Sequence, residues 1–231
     1  MSDVAIIGAT GHQGYGLALR WALAGKCIAI GSRDAARAAA AAERISQVAA
    51  GIGRGEVGVV GLDNAAAAAS APTVVITVPV AAQIPTIKAI RDHLQPSALL
   101  VDVTVPTASA LGGRASRLIG LPAGSAAEQL AEYAPEGIQV MSAFHFFSAD
   151  LLAQVLADGP VALDCDVVAC GGDARAQEVV RELALSIRGA GYVHAGPLQA
   201  SRLVEAAATM LIAINVHHKV RSSGMRITGI A

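Results

Sequence analysis

Apolar and polar positions alternate with two different periods along the first hundred residues. Short β-branched runs bounded by Gly, Pro or Asp are followed by longer stretches of helical spacing. Strands are expected over residues 4–7, 27–30, 57–60, 73–78 and 98–103, with helices over 13–24, 34–49, 64–70 and 81–94 between them. Asp34 is placed to cap the second helix. Thr73-Val-Val-Ile-Thr-Val78 has no polar face, which predicts a central strand buried on both sides and broken by Pro79. Residues 106–121 are irregular and rich in small side chains. Beyond them a helix is expected over 125–133, strands over 139–144, 165–170 and 192–195, and helices over 174–188 and 201–220. The last of these is the longest helix and has no internal Gly or Pro.

Strand–helix alternation is the pattern of a parallel sheet with crossover helices. We therefore expect an α/β fold with a doubly wound parallel sheet and a small C-terminal α/β annex that ends in the long helix. Residues 1–140 would form the nucleotide-binding domain, and residues 141–231 a smaller region packed on it.

The composition narrows the function classes. Apolar residues make up 54% of the 231 and charged residues 15%, so a large core is available. The alanine runs at 38–42 and 65–69 are read as compositional bias that favours helices. A net charge of −1 provides no general attraction for nucleic acid or an acidic membrane. The most apolar windows, 71–82 and 206–214, are too short to span a bilayer. No charged stretch followed by an apolar one suggests secretion, so the cytoplasm is the expected compartment. The three cysteines lack metal or redox spacing, and Cys27 and Cys170 are expected to be small core residues in strands.

The candidate chemistry begins at Gly8-Ala-Thr-Gly-His-Gln-Gly14, directly after the first strand. Gly8 permits a tight turn, Gly11 lets the backbone approach a phosphate, and Gly14 lets helix and strand come close. The helix N-terminus then offers free N–H groups to an anion. After the second strand comes Gly31-Ser-Arg-Asp34. An acid at this place would bond ribose hydroxyls, whereas Ser32 and Arg33 suit a 2′-phosphate, and Arg37 lies one turn further on. NADP(H) is the expected cofactor. Two surface arginines beside a capped helix would be the plainer explanation.

Thr77-Val-Pro79 and Asp102-Val-Thr-Val-Pro106 end the fourth and fifth strands, where ligands lie in doubly wound sheets. Their prolines serve equally as structural punctuation. All three phenylalanines, Phe144, Phe146 and Phe147, flank His145. An aromatic wall with one polar group suits a flat conjugated ligand, and a core corner with a satisfied histidine is the alternative. His217 and His218 are adjacent on a helix and point apart, so no metal site is expected. After Glu205 there is no acid, yet His217, His218, Lys219, Arg221 and Arg226 follow. This basic end suits either the helix dipole or an anionic group on a substrate.

Taken together, Ile6-Ile-Gly-Ala-Thr-Gly-His-Gln-Gly14, Gly31-Ser-Arg-Asp34, Gly124-Ser-Ala-Ala-Glu-Gln129, Ser142-Ala-Phe-His145 and Arg226-Ile-Thr-Gly229 resemble the NADPH-dependent coenzyme F420 reductases, essentially end to end. The resemblance implies a Rossmann-type domain and direct hydride transfer between NADP(H) and the deazaflavin coenzyme F420, its co-substrate. It implies that Thr10, Gly11, His12 and Gln13 meet the pyrophosphate, and that Ser32, Arg33 and Arg37 hold the 2′-phosphate. Thr77, Ala81, Thr104 and Ala149 would line the rest of NADP. His145 and Phe147 match positions where deazaflavin and nicotinamide meet, with His145 the catalytic candidate, and Ser223 lies in a tail that closes over the rings. The long final helix and the family both suggest a homodimer. Two rivals share the nucleotide half: an NADP-dependent imine or ketone reductase of the pyrroline-carboxylate reductase type, and a non-catalytic NADP(H) redox sensor.

Overall fold

Strand β1 (Val4–Ile7) runs into helix α1 (His12–Leu23), and β2 (Ile28–Ser32) into α2 (Ala35–Gly51), in a computed structural model that describes residues 1–230. Next come β3 (Val59–Asp63), α3 (Asn64–Ser70), β4 (Thr73–Ile76), α4 (Val80–Ile90) and β5 (Leu99–Asp102). The C-terminal half adds α5 (Ala126–Tyr133), β6 (Gln139–Ser142), α6 (Ala149–Leu152) and a short hairpin of β7 (Val155–Leu156) and β8 (Gly159–Pro160). It closes with β9 (Cys165–Gly171), α7 (Ala174–Leu185), β10 (Ala190–His194) and α8 (Ser201–His218).

Eight strands form one sheet in the order β10-β9-β6-β5-β4-β1-β2-β3. From β3 to β6 all pairs are parallel, in the 3-2-1-4-5-6 order of dinucleotide-binding sheets. Strand β9 pairs antiparallel with β6, and β10 runs parallel to β9, so the C-terminal half extends the same sheet. The two faces carry separate cores because side chains alternate along a strand. Val4 and Ile6 join one core with Leu17 and Trp21, whereas Ala5 and Ile7 join the other with Val74 and Leu100.

Helix starts follow from local chemistry. Asp34, Asp63, Ser125 and Asp173 each accept a backbone N–H from the first turn of the following helix. The expected third strand lies later than the apolar run at 57–60, because Val59 is the residue that pairs with Ile28. The strand continues through Gly61, where an added Cβ would stand 2.2 Å from Ala38 C in α2, so the helix rests directly on it. Cys27 is a correction: it is exposed, on the turn ahead of β2, with its N–H donating to Asp3 Oδ2 at 2.7 Å. Cys170 is buried in β9 as expected. Among the described residues no helix is long and apolar enough to cross a membrane.

Candidate functional site

The strand register lines up one edge of the sheet. Gly31 is level with Ile7, Ile7 with Ile76, Ile76 with Asp102, and Asp102 with Ser142. The segments starting at Gly8, Ser32, Thr77, Val103 and Ala143 therefore leave side by side. This row of carboxyl ends, with the crossover reversing between β1 and β4, is where open α/β sheets bind ligands.

At its centre Gly8 has φ +94°, a left-handed conformation that a side chain would strain, and Gly11 N–H donates back to the Gly8 carbonyl at 3.0 Å. Gly14 is needed for close approach, since its Cβ would lie 2.4 Å from Thr77 Oγ1 and 2.7 Å from Ala9 Cα. Helix α1 has Gly11 as N-cap and no side-chain cap, and no acid in its first turn. Its N–H groups and dipole are left for an anion. Thr10 is half-buried, and Gly11 and His12 are exposed at this turn. Gln13 turns away: its Nε2 donates to the Phe144 carbonyl at 3.2 Å. Thr77 Oγ1 donates to the Ile7 carbonyl at 2.9 Å and ties the two central strand ends together.

Ser32 is buried at the end of β2, and its Oγ accepts the Asp34 N–H at 3.2 Å. The Asp34 carboxylate is occupied in capping α2, so no free acid faces the ribose position. Arg33 and Arg37 are exposed, and neither is in an ion pair among the described residues. Ala81 is exposed in the first turn of α4.

A cavity of about 570 Å³ opens beside the β5 and β6 ends. It brings together Gln13, His145, Phe147, Ala149 and Ser223. The other cofactor candidates lie along the row of strand ends, outside it. Apolar walls come from Val103, Val105, Ala208 and Leu211, and a polar rim from Asn215 and Arg221. Ser223 is fixed to α8, with its N–H on Asn215 Oδ1 at 3.1 Å and its Oγ donating to the Leu211 carbonyl at 3.2 Å. Phe144 belongs to the core, edge-on to Trp21 at 5.3 Å, with φ +66°, while Phe146 and Phe147 line the cavity. The aromatic cluster is thus half core corner and half ligand wall.

His145 sits at this corner with both ring nitrogens shut off from water and without a hydrogen-bond partner. Burial drives its pKa down to about 4; the Thr104 carbonyl pulls the other way without meeting hydrogen-bond geometry. The imidazole is neutral at pH 7 and keeps one donor and one acceptor. The Thr104 hydroxyl faces away from the cavity lining, donating to Asp102 Oδ1 at 2.7 Å.

A polar seam behind the cavity was not anticipated. Asp102, fully buried, also accepts from Gln83 Nε2 at 3.0 Å, and Gln129 Nε2 donates to Gln83 Oε1 at 2.8 Å. Glu205 of α8 accepts the Ala126 N–H at 3.0 Å and the Ala127 N–H at 3.2 Å. Burial raises Asp102 to about 7 against the bonds from Thr104 and Gln83. Burial also raises Glu205 to about 8, outweighing the Ala126 N–H, with Asp102 adding a like charge. A lone acid closing the apolar run Leu99-Leu-Val-Asp102 was the available signal for the seam. Arg20, inside the apolar stretch Leu17-Ala-Leu-Arg-Trp-Ala-Leu23, was another signal, and it is also fully buried. Burial, then the nearby Arg188, lower its pKa to about 10, so it stays charged at neutral pH.

Fold and site are those of a dinucleotide-binding α/β protein with a cavity beside the carboxyl ends of its strands. The comparisons are narrower still. A family profile described as NADP oxidoreductase, coenzyme F420-dependent, matches residues 3–106. An F420-dependent NADP reductase of Methanothermobacter thermautotrophicus is 43% identical over 228 residues, 98% of this chain and 95% of that protein. One from Methanocaldococcus jannaschii is 37% identical over 227 residues, covering 98% of each chain. A solved structure from Arthrobacter sp. FB24 has a TM-score of 0.77 at 24% identity, covering 99% of this chain and 100% of that one, which speaks for the fold. The chain belongs to the family of F420-dependent NADP reductases.

Proposed function

We propose that the chain binds NADP(H) along the row of strand ends and moves a hydride between its nicotinamide and coenzyme F420 in the cavity beside His145. The observation that carries this reading is the juxtaposition of that cavity with the uncapped turn at Gly11 through one residue, Gln13, which belongs to both. Thr10 and His12 would meet the pyrophosphate with peptide N–H groups, Gly11 would let the backbone come close to it, and Ser32, Arg33 and Arg37 would hold the 2′-phosphate. Thr77, Ala81, Thr104 and Ala149 would line the remainder of the nucleotide. When bound, the nicotinamide supplies a hydride that the deazaflavin takes up with one proton, and the reverse reaction returns both.

The protein's own part is to hold two flat rings together and to exclude water. Phe146, Phe147 and Leu211 supply the dry wall, and Ser223 holds the tail across it. Neutral His145 would orient the rings or donate a hydrogen bond to charge developing on the acceptor, without forming a covalent bond. Residues 1–140 would thus serve the nucleotide and 141–231 the acceptor. The reaction would take place in the cytoplasm, in keeping with three unpaired cysteines. Its unit would be a homodimer formed through α8, whose outer face exposes Leu203, Met210 and Ile214 at helical spacing.

Absorbance of oxidised F420 with NADPH tests the reading. Turnover is expected with wild-type protein, without an inflection near pH 6.5 from His145, and His145→Ala should lower it well beyond about twofold. NADPH binding with no turnover of F420 would leave the redox-sensor alternative standing instead.

A further inference from the structure

One face of α1 is given over to the segment that walls the cavity. Gln13, Gly16 and Arg20 recur at helical spacing, and all three meet residues 144–161. Gln13 holds the Phe144 carbonyl. A Cβ on Gly16 would stand 2.5 Å from Leu152 Cβ, so the helix backbone rests there directly on the Leu152 side chain. Arg20, 2% exposed, donates from Nε to the Leu152 carbonyl at 2.7 Å and from Nη2 to the Gln154 carbonyl at 3.3 Å. It also donates to the carbonyls of Leu151 and Val161.

A buried guanidinium normally requires an acid, because stripping water from a charge is costly. Arg20 has none among the described ion pairs. Four carbonyl dipoles take that place, two of them from the last two residues of α6. The arrangement is mutual. The cation is tolerated only with the segment in place, and the Leu152 and Val161 carbonyls find their partner in it, while the Leu151 and Gln154 carbonyls also accept the Gln154 and Val161 N–H groups.

We propose that Arg20 is a positioning residue for the acceptor side of the cavity, locking residues 148–161 onto α1 at a fixed span from the phosphate-binding turn. Phe147, Ser148 and Ala149 enter the cavity wall where this locked segment begins. The lock rests on the reading of that cavity as the deazaflavin site. Lysine cannot replace the guanidinium, because one compact ammonium does not fan over four carbonyls on different turns.

Arg20→Lys and Gly16→Ala test the lock by different routes, one by removing donors and one by pushing Leu152 away. Each should raise KM for F420 about tenfold and weaken NADPH, which would meet the segment only at Ala149, by a much smaller factor. Hydrogen exchange should quicken at the amides of Leu152, Ala153 and Val161, which are bonded within the segment, and not in β1 or β4. Equal losses for both ligands, or an unchanged KM for F420 in folded variants, would overturn the positioning role. Should Arg20→Lys fail to fold, Gly16→Ala decides alone. Should wild-type protein turn over no F420, the acceptor reading fails by itself. Exchange then judges the lock: faster exchange confined to the segment upholds it, and unchanged exchange refutes it.

Discussion

Arg33 projects from the end of β2 into solvent with no acid to neutralise it, beside a serine whose hydroxyl is held by the Asp34 N–H. Arg33→Ala should weaken NADPH binding about tenfold to a hundredfold, the range for losing a charge-assisted bond of about 1.5–3 kcal/mol. NADH binding should stay the same. Calorimetry with both nucleotides measures the change in preference, and equal losses for the two would remove the 2′-phosphate role. At this scale the sequence was readable where structure is local. Residue type and distance after a glycine turn suffice to put Ser32 and Arg33 at the end of the second strand. They do not place Gln13, whose amide is drawn from the phosphate turn to a carbonyl 131 residues away.

The elements behind the cavity are joined by acids that prefer to be neutral. Asp102 ends β5 and Glu205 lies in α8, with folded pKa values of about 7 and about 8, both above their ordinary carboxylate values. A raised acid pKa means that the folded state binds more protons than the unfolded chain, so stability declines as pH climbs and levels off above the folded values. Neutral His145 works in the opposite sense, but only below about pH 6.5, the ordinary value for histidine. Denaturant melts should therefore show stability falling from about pH 4.5 to 8, since two raised acids outweigh one lowered histidine, and Asp102→Asn should flatten the part of that fall below about pH 7. A slope that the substitution leaves unchanged would clear Asp102 of the effect. Most elements could be read from periodicity and caps, as α2 and its Asp34 cap illustrate. Helix α6 and the β7–β8 hairpin could not, since they are too short to carry a period and α6 is held by a side chain in α1.

For the whole molecule, the inner face of α8 packs Val204, Ala208 and Leu211 while its outer face leaves Leu203 71% and Met210 48% exposed. Such a stripe on a long surface helix is costly in water unless it is covered. A second copy would bury it by a self-complementary contact. Leu203→Glu combined with Met210→Glu should convert dimer to monomer in light scattering after size exclusion. Wild-type protein that runs as a monomer at micromolar concentration would dismiss the homodimer. The sheet itself places the cavity against the glycine turn, because β6 and β9 carry the C-terminal half across the same edge.

The sequence by itself determined the alternation of strands and helices, the glycine turn and the basic residues after the second strand. Each depends on neighbours a few positions apart and on backbone preferences already present in the unfolded chain. Only the tertiary structure decided that His145 is neutral, that the Thr104 hydroxyl faces Asp102, and that a buried arginine is held by carbonyls of the cavity-wall segment in place of an acid. Those outcomes depend on exclusion of water and on partners more than a hundred residues away for His145's corner and Arg20, and neither exists until the chain has folded.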